Sequence, residues 1–252
     1  MKLFQTTAIA ALLLASPVLA KPVMKATQAI ATAIADPARP ADDVKRDEAR
    51  KPAAILAFAQ VKPGDKAIDF IMGGGYFTRL LAKTVGPNGH VYAYQPAEFI
   101  KYRAQYADEQ NAVVSAYTNI TPLNDSLGAL AFPEQANVIF TAQNYHDLHL
   151  AAFPPGAADA VNAALFKALK PGGVLLIIDH AATPGSGTKD SNALHRIDPA
   201  TVRTEVEKAG FKFEAESPLL RNPDDPHTQL VFDPAIRGKT DQFIYRFRKP
   251  AH

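Results

Sequence analysis

The chain has 252 residues, no cysteine, and 27 lysine and arginine residues against 25 aspartate and glutamate residues. The lack of cysteine excludes a disulfide scaffold, thiolate catalysis and a cysteine-type zinc site. The near-neutral charge gives no field that would attract nucleic acid or anionic lipid. The length suits a single α/β domain that can bury its own core.

The first twenty residues have the composition of a secretory signal peptide. Lys2 is followed by an apolar run at residues 8–15, and the small residues at 16–20 form a cleavage pattern. We expect cleavage after Ala20 and export, most simply to a bacterial periplasm, with no membrane contact afterwards. The alternative is an uncleaved anchor, although the apolar run is short for spanning a bilayer.

The remaining chain divides into a predicted helical arm at residues 21–60 and a main domain at residues 61–252. In the main domain strands alternate with helices, which is typical of a parallel sheet covered on both faces. A closed eight-fold barrel would need more repeats than the chain contains. Strands are predicted at 67–71, 90–94, 112–116, 137–141, 174–179, 211–216 and 242–247, and helices at 52–60, 76–85, 96–107, 157–169 and 199–209.

Three consecutive glycines, Gly73, Gly74 and Gly75, stand between the first predicted strand and its helix. Glycines at such a bend let the backbone approach a bulky ligand or adopt a positive φ. The free N–H groups of the following helix suit a polar or anionic group. The loop therefore predicts a nucleotide-like cofactor. A dinucleotide is disfavoured, because its fingerprint needs a third glycine where Thr78 stands and an acidic residue where Gln95 stands.

Several stretches together resemble the class I S-adenosylmethionine-dependent methyltransferases. They are the loop at residues 69–78, the entry to strand four at 133–140, the turn and strand at 169–177, and the segments at 144–149 and 179–180. In detail they are similar to a subgroup of predicted, often exported, bacterial methyltransferases. The resemblance implies a doubly wound, Rossmann-like sheet of seven mostly parallel strands, an antiparallel last strand, and S-adenosylmethionine as cofactor.

The resemblance also implies roles for individual residues. The three glycines would admit the cofactor, Asp69 would face its amino acid end, and Gln95 would face its ribose. Two positions depart from the family pattern, since Ile71 replaces the first glycine and Gln95 replaces a carboxylate. Because an amide lacks the charge-assisted hydrogen bonds of a carboxylate, we expect cofactor binding to be weaker than in typical members, or absent.

Histidines concentrate at the predicted carboxyl edge of the sheet, where open α/β sheets bind ligands. They are hydrogen-bonded loop histidines, or they supply a base that deprotonates a methyl acceptor, or they hold a metal. A base is not required, because positioning supplies much of the rate of methyl transfer. We place His146, Asp147 and His180 in the acceptor pocket as candidate catalytic residues, and we assign no residue to a metal.

The favoured function is therefore methyl transfer from S-adenosylmethionine to a small-molecule acceptor, with no nucleic-acid or membrane partner. The alternative is an exported binding protein that kept the methyltransferase fold without the cofactor. Such a protein would hold a metal or another small ligand at the histidine-rich edge. Binding of the cofactor distinguishes the two.

Overall fold

The computed structural model describes residues 20–251, with side chains from Met24 onward. The signal peptide predicted for residues 1–20 lies outside these residues, except for Ala20, where the first helix begins. Among the described residues, no helix combines the length and the apolar character that a membrane span requires.

Seven strands form a single sheet. They are β1 (Lys66–Phe70), β2 (His90–Tyr94), β3 (Ile120–Leu123), β4 (Ala136–Ala142), β5 (Leu169–His180), β6 (Lys212–Ser217) and β7 (Gln242–Arg248). Their order is β3-β2-β1-β4-β5-β7-β6. Strands β1 to β5 pair in parallel, and β7 lies antiparallel between β5 and β6. The predicted fold class is confirmed.

The helices form an N-terminal arm and two layers on the sheet. The arm consists of α1 (Ala20–Ile34), α2 (Ala41–Lys45), α3 (Asp47–Arg50) and α4 (Pro52–Phe58). The layers contain α5 (Tyr76–Val85), α6 (Ala97–Tyr102), α7 (Gln105–Ala116), α8 (Ala157–Ala168), α9 (Ser191–Leu194) and α10 (Pro199–Lys208). Two 3-10 helices lie at Leu127–Ala129 and Tyr145–His149. The helix predicted for residues 96–107 is divided between α6 and α7.

The core has two layers, one on each face of the sheet. In β5, Leu175 and Ile177 pack with residues of α8 and α10, whereas Leu176 and Ile178 pack with residues of α5 and the arm. Successive side chains of a strand point to opposite faces, so a strand covered on both faces is apolar throughout. Because both faces are covered, the carboxyl edge of the sheet is the place where loops can form a site.

The third strand does not lie where the sequence predicts it. Residues 112–116 end α7, and the strand is Ile120–Leu123. Val113 favours a strand by its branched side chain, but it is fully buried on α7 and packs against Gly75. Pro122 argues against a strand in the sequence, yet β3 is an edge strand, where a missing N–H is tolerated. Tertiary packing overrides local propensity here.

Candidate functional site at the carboxyl edge of the sheet

The glycine loop (residues 71–75) joins the end of β1 to the start of α5. Gly73 and Gly75 have φ values of 54° and 79°, which side chains rarely tolerate. A Cβ on Gly75 would collide with Val113, whereas a Cβ on Gly73 would meet nothing within 4 Å. Gly75 therefore lets α5 and α7 pack closely, and Gly73 leaves one side of the loop open.

Ile71 begins the loop with a φ of 62°. A β-branched residue at positive φ is an outlier that costs about 1–3 kcal/mol. Its side chain is buried in the core, and its carbonyl accepts a hydrogen bond of 2.8 Å from the Asn144 amide. The backbone thus has, at the position of the family's first glycine, the conformation that glycine adopts most easily.

Gln95 follows β2 and lies directly beneath the loop. Its side-chain Oε1 accepts a hydrogen bond of 2.9 Å from the Gly73 N–H. The residue is fully buried, and its Nε2 has no hydrogen-bond partner among the described residues. Since a buried donor without a partner costs about 1–3 kcal/mol, the Gln95 amide is an unsatisfied polar group next to the loop.

Asp69 is the last acidic residue of β1 before the loop. It is 3% exposed, and the Thr78 hydroxyl donates a hydrogen bond of 2.6 Å to it. Burial raises the pKa of Asp69 to about 6, against the opposing effects of the Thr78 hydrogen bond and the charge of Arg50. Burial therefore destabilises the ionised form of Asp69, and a cationic partner would stabilise it.

The arm contacts the loop through charged side chains. Asp47 accepts hydrogen bonds from Arg39 at 2.8 Å and from the Tyr76 hydroxyl at 2.6 Å. The Arg50 guanidinium lies 4.6 Å from the centre of the Tyr76 ring and donates to the Gln143 amide oxygen at 2.6 Å. Burial, with repulsion from Arg46, lowers the pKa of Arg50 to about 10. Among residues 24–251, Arg50 forms no salt bridge with a carboxylate.

On the other side of the edge, a buried carboxylate fixes His146. Asp179 accepts hydrogen bonds from the His146 backbone N–H at 2.7 Å, from its Nδ1 at 2.8 Å and from the His180 backbone N–H at 2.8 Å. Burial opposes the charged forms, but the two groups stabilise each other, so the pKa of His146 is raised and that of Asp179 is lowered. An ionised carboxylate only accepts, so Nδ1 carries a proton and Nε2 is the ring nitrogen that gains or loses one.

The Nε2 atom of His146 faces two further polar groups. It lies 3.1 Å from Nδ1 of His195 and 3.3 Å from Oδ1 of Asp147, and the last two atoms are 3.8 Å apart. We call these three residues the histidine cluster. The Asp147 carboxylate forms no hydrogen bond in the part of the chain with described side chains. His195 itself has a φ of 53°, which histidine adopts more readily than most residues.

The structure brings together only part of the predicted catalytic set. His146 and Asp147 face each other, whereas the His180 Nδ1 lies 2.7 Å from the Thr240 hydroxyl. Burial lowers the pKa of His180 to about 3, so this ring is neutral. His149 turns away from the cluster. Catalytic roles for the three residues stay a prediction.

Two residues of this site are absent from the set chosen from the sequence. Asp179 orients His146, and His195 completes the cluster from a loop that comes after β5. The only signal in the sequence is that Asp179 ends a predicted strand and that His195 belongs to a loop at the same edge. Neither observation tells which side chain turns toward which.

A groove of about 790 Å³ lies next to the cluster, between residues 148–156, the first turn of α8 and one side of α10. Glu205 lies in its wall and accepts hydrogen bonds from the Tyr145 hydroxyl at 2.9 Å and His149 Nε2 at 3.1 Å. Thr204 and Lys208 also line it. The groove therefore offers hydroxyl, carboxylate and ammonium groups to a ligand.

Comparison with known proteins agrees with this geometry. No protein-family model matches the chain. A curated relative from Ignicoccus hospitalis, a protein-L-isoaspartate O-methyltransferase, is 30% identical over 128 residues, which cover 50% of this chain and 52% of the relative. The match thus spans about half the length of that relative.

Solved structures resemble the chain over a larger part. A methyltransferase from Aquifex aeolicus, described as dependent on S-adenosylmethionine, has a TM-score of 0.56 at 19% identity and covers 88% of this chain and 98% of its own. Fibrillarin from Aeropyrum pernix was solved with natively bound S-adenosylmethionine. It has a TM-score of 0.50 at 17% identity, and the match covers 80% of this chain and 76% of fibrillarin.

The fold is therefore that of the class I S-adenosylmethionine-dependent methyltransferases. The curated relative is named as a methyltransferase, whereas one structural neighbour of the same fold, SpnF, is described as a [4+2]-cyclase. The finer resemblance to exported bacterial members stays a prediction, since the curated relative is archaeal.

Proposed function

We propose that this protein is an S-adenosylmethionine-dependent methyltransferase. The observation that carries the proposal is the glycine loop, which is open on the side of Gly73 and has a positive φ at Ile71, the position where the resembled family has glycine. A loop that only connected β1 to α5 would not need a strained isoleucine. Backbone strain of this kind is usually found where a ligand binds.

The polar groups around the loop fit the parts of this cofactor. Asp69 suits its ammonium group, and Arg50, which has no carboxylate partner among residues 24–251, suits its carboxylate. The unpaired Nε2 of Gln95 suits an acceptor such as a ribose oxygen once the amide turns toward it. When bound, the cofactor supplies a methyl group activated by a positively charged sulfur.

The acceptor would bind on the side of β4 and β5. Gln143 and Asn144, which follow β4, connect this side to the arm and the glycine loop. Gln143 accepts a hydrogen bond from Arg50, and Asn144 donates one to the Ile71 carbonyl. His146 Nε2, made more basic by the Asp179 contact at Nδ1, can accept the proton of an acceptor group when the ring is neutral. His180 is neutral and stays a wall residue in this scheme.

Calorimetric titration with S-adenosylmethionine and S-adenosylhomocysteine tests the proposal. We expect one site per chain for both ligands. Absence of heat for either ligand would favour the second candidate, a binding protein with a methyltransferase fold. That candidate is supported by the complete burial of Gln95, which leaves no polar atom of this residue at the surface of the loop.

The acceptor is proposed to be a small molecule, because the groove beside the cluster has the size of an ordinary ligand pocket. The curated relative is named for methylation of L-isoaspartyl groups in proteins. A peptide that contains isoaspartate should therefore be compared with the same peptide containing aspartate. Methyl incorporation into the isoaspartyl peptide alone would replace the small-molecule proposal with a protein one.

Export is part of the proposal and rests on the composition of residues 1–20. Mass spectrometry of the protein from the periplasmic fraction of a bacterial host should find a chain that begins at Lys21. An intact N-terminus on protein recovered from the cytoplasm would contradict export.

A further inference from the structure

We infer that the histidine cluster is a binding site for a divalent transition metal ion of the zinc type. The ligand atoms would be Nε2 of His146, Nδ1 of His195 and one carboxylate oxygen of Asp147. Two imidazoles and a carboxylate form a ligand set that zinc and similar ions prefer over calcium or magnesium. The inference does not depend on the proposed methyl transfer.

The spacing of the three atoms fits one ion. Zinc bonds to nitrogen and oxygen are about 2.0–2.2 Å long, so the ligands of a tetrahedral ion lie about 3.3–3.5 Å apart. The observed separations are 3.1, 3.3 and 3.8 Å. The three atoms therefore lie close to three corners of such a tetrahedron without any change of the backbone.

Hydrogen bonding alone does not explain the arrangement. One proton can join the two histidine nitrogens at 3.1 Å, but the Asp147 carboxylate then faces two rings without a hydrogen bond to either. Asp147 is 9% exposed and His146 is 3% exposed. The Asp147 side chain keeps some contact with solvent, being 12% exposed, and a cation among the three atoms would satisfy all of them at once.

The surroundings of His146 are those of a metal ligand. Metal-binding histidines usually donate their other ring nitrogen to a carboxylate, which fixes the ring and the tautomer. Asp179 takes this role through the 2.8 Å contact with Nδ1 and is itself held by the backbone N–H groups of His146 and His180. Nε2 is thereby aimed at the other two ligands before any ion arrives.

The cluster leaves room for a fourth ligand. The side chains of Asp147 and His195 are 12% and 27% exposed, and the His195 ring lies 4.8 Å from the Phe232 ring, which is largely exposed. Three protein ligands with an open fourth position are typical of zinc sites that bind water or a substrate. With an ion present, His146 would be a ligand instead of a base.

Titration of the chelator-treated full chain, prepared without a histidine tag, with Zn²⁺ and with Co²⁺ tests the inference. No S-adenosylmethionine is present, so the outcome is independent of the proposed function. We expect one equivalent of either ion per chain, with the intense visible absorption of tetrahedral Co²⁺. Binding of less than about one fifth of an equivalent, or a Co²⁺ spectrum like that of the free ion, would overturn the inference.

Variants identify the ligands. His195→Asn keeps a residue that tolerates positive φ and should weaken Zn²⁺ binding at least a hundredfold, as should Asp147→Asn. The matched control is His149→Ala, because His149 lies in the same 3-10 helix as Asp147 and pairs with Glu205 outside the cluster. Its affinity for Zn²⁺ should stay within about twofold of the unmodified chain. An equal loss in His149→Ala, or no loss in His195→Asn, would contradict the assignment.

Discussion

The glycine loop and the histidine cluster lie side by side at the same edge of the sheet, yet they are built in opposite ways. The loop consists of backbone, with open space beside Gly73 and an unpaired amide beneath it. The cluster consists of side chains whose polar atoms lie 3.1–3.8 Å apart, and its His146 is held by the buried Asp179 carboxylate. The first site is shaped for a large ligand and the second for a small one.

This difference explains what the sequence discloses about each site. The loop is a local motif, so the run of glycines after a strand predicts its place and its ligand class. The cluster takes His146 from the segment after β4, Asp179 from the end of β5, and His195 from the end of α9. Only the tertiary structure brings these residues together. Predictions that disturb one site and spare the other test the distinction.

The largest expected effect concerns the buried ion pair next to the histidine cluster. Arg196 follows His195 and is fully buried, with hydrogen bonds of 2.8 and 3.0 Å to Asp225 and others to backbone carbonyls. Arg196→Met leaves the Asp225 charge unpaired in the interior, so the free energy of unfolding should fall by about 3–5 kcal/mol. Urea-induced unfolding measures this loss.

Lys208→Met is the control for that change, since Lys208 forms an exposed ion pair with Asp159. Exposed pairs contribute little, so its effect should stay within about 1 kcal/mol. A loss for Arg196→Met no larger than for the control would mean that the buried pair does not hold the loop that carries His195.

The second prediction concerns Asp69, beside the glycine loop, and is an increase in the free energy of unfolding. The pKa of Asp69 is about 6 in the folded protein against an ordinary value of 3.8. The folded state therefore favours the protonated form, and stability is lost as the pH rises through about 4 to 6. At pH 8 the ionised carboxylate costs about 3 kcal/mol.

Asp69→Asn removes that cost while keeping an oxygen for the Thr78 hydroxyl. The free energy of unfolding should rise by about 2–3 kcal/mol at pH 8, and by about 1 kcal/mol less at pH 5. The same variant should bind S-adenosylmethionine more weakly. A stability gain that is equal at the two pH values would contradict the raised pKa of Asp69. Cofactor binding unchanged by the substitution would contradict a contact between Asp69 and the cofactor. Glu207→Gln on the exposed face of α10 serves as the control.

A smaller effect is expected for Arg50. If it meets the carboxylate of the cofactor, Arg50→Gln should weaken binding of S-adenosylmethionine about tenfold, or about 1.4 kcal/mol, because one charged contact is lost. Binding of 5′-methylthioadenosine, which has no carboxylate, should stay within about twofold. Arg46→Gln is the matched control, since Arg46 also lies over the Tyr76 ring but pairs with Asp43. An equal loss for both ligands would assign Arg50 to packing alone.

The sequence predicts most of the fold because the strands around the site are short apolar runs bounded by turns. The strand predicted at residues 112–116 is wrong for a physical reason. The branched side chain of Val113 packs against Gly75 from helix α7 and does not belong to a strand. Ile71 could not be interpreted from the sequence, because a substituted glycine usually indicates a lost conformation. Here the positive φ remains, and burial of the side chain offsets its cost.

The most direct measurement compares two glycines by calorimetric titration with S-adenosylmethionine. Gly73 and Gly172 both have a positive φ, 54° and 77°, and a Cβ on either would meet nothing within 4 Å, so alanine strains both in the same way. Gly172 lies near the start of β5, at the opposite edge of the sheet. We predict that Gly73→Ala weakens cofactor binding at least tenfold and that Gly172→Ala leaves it within twofold. Equal affinities in the two variants, or no binding by the unmodified chain, would contradict a cofactor site at the glycine loop.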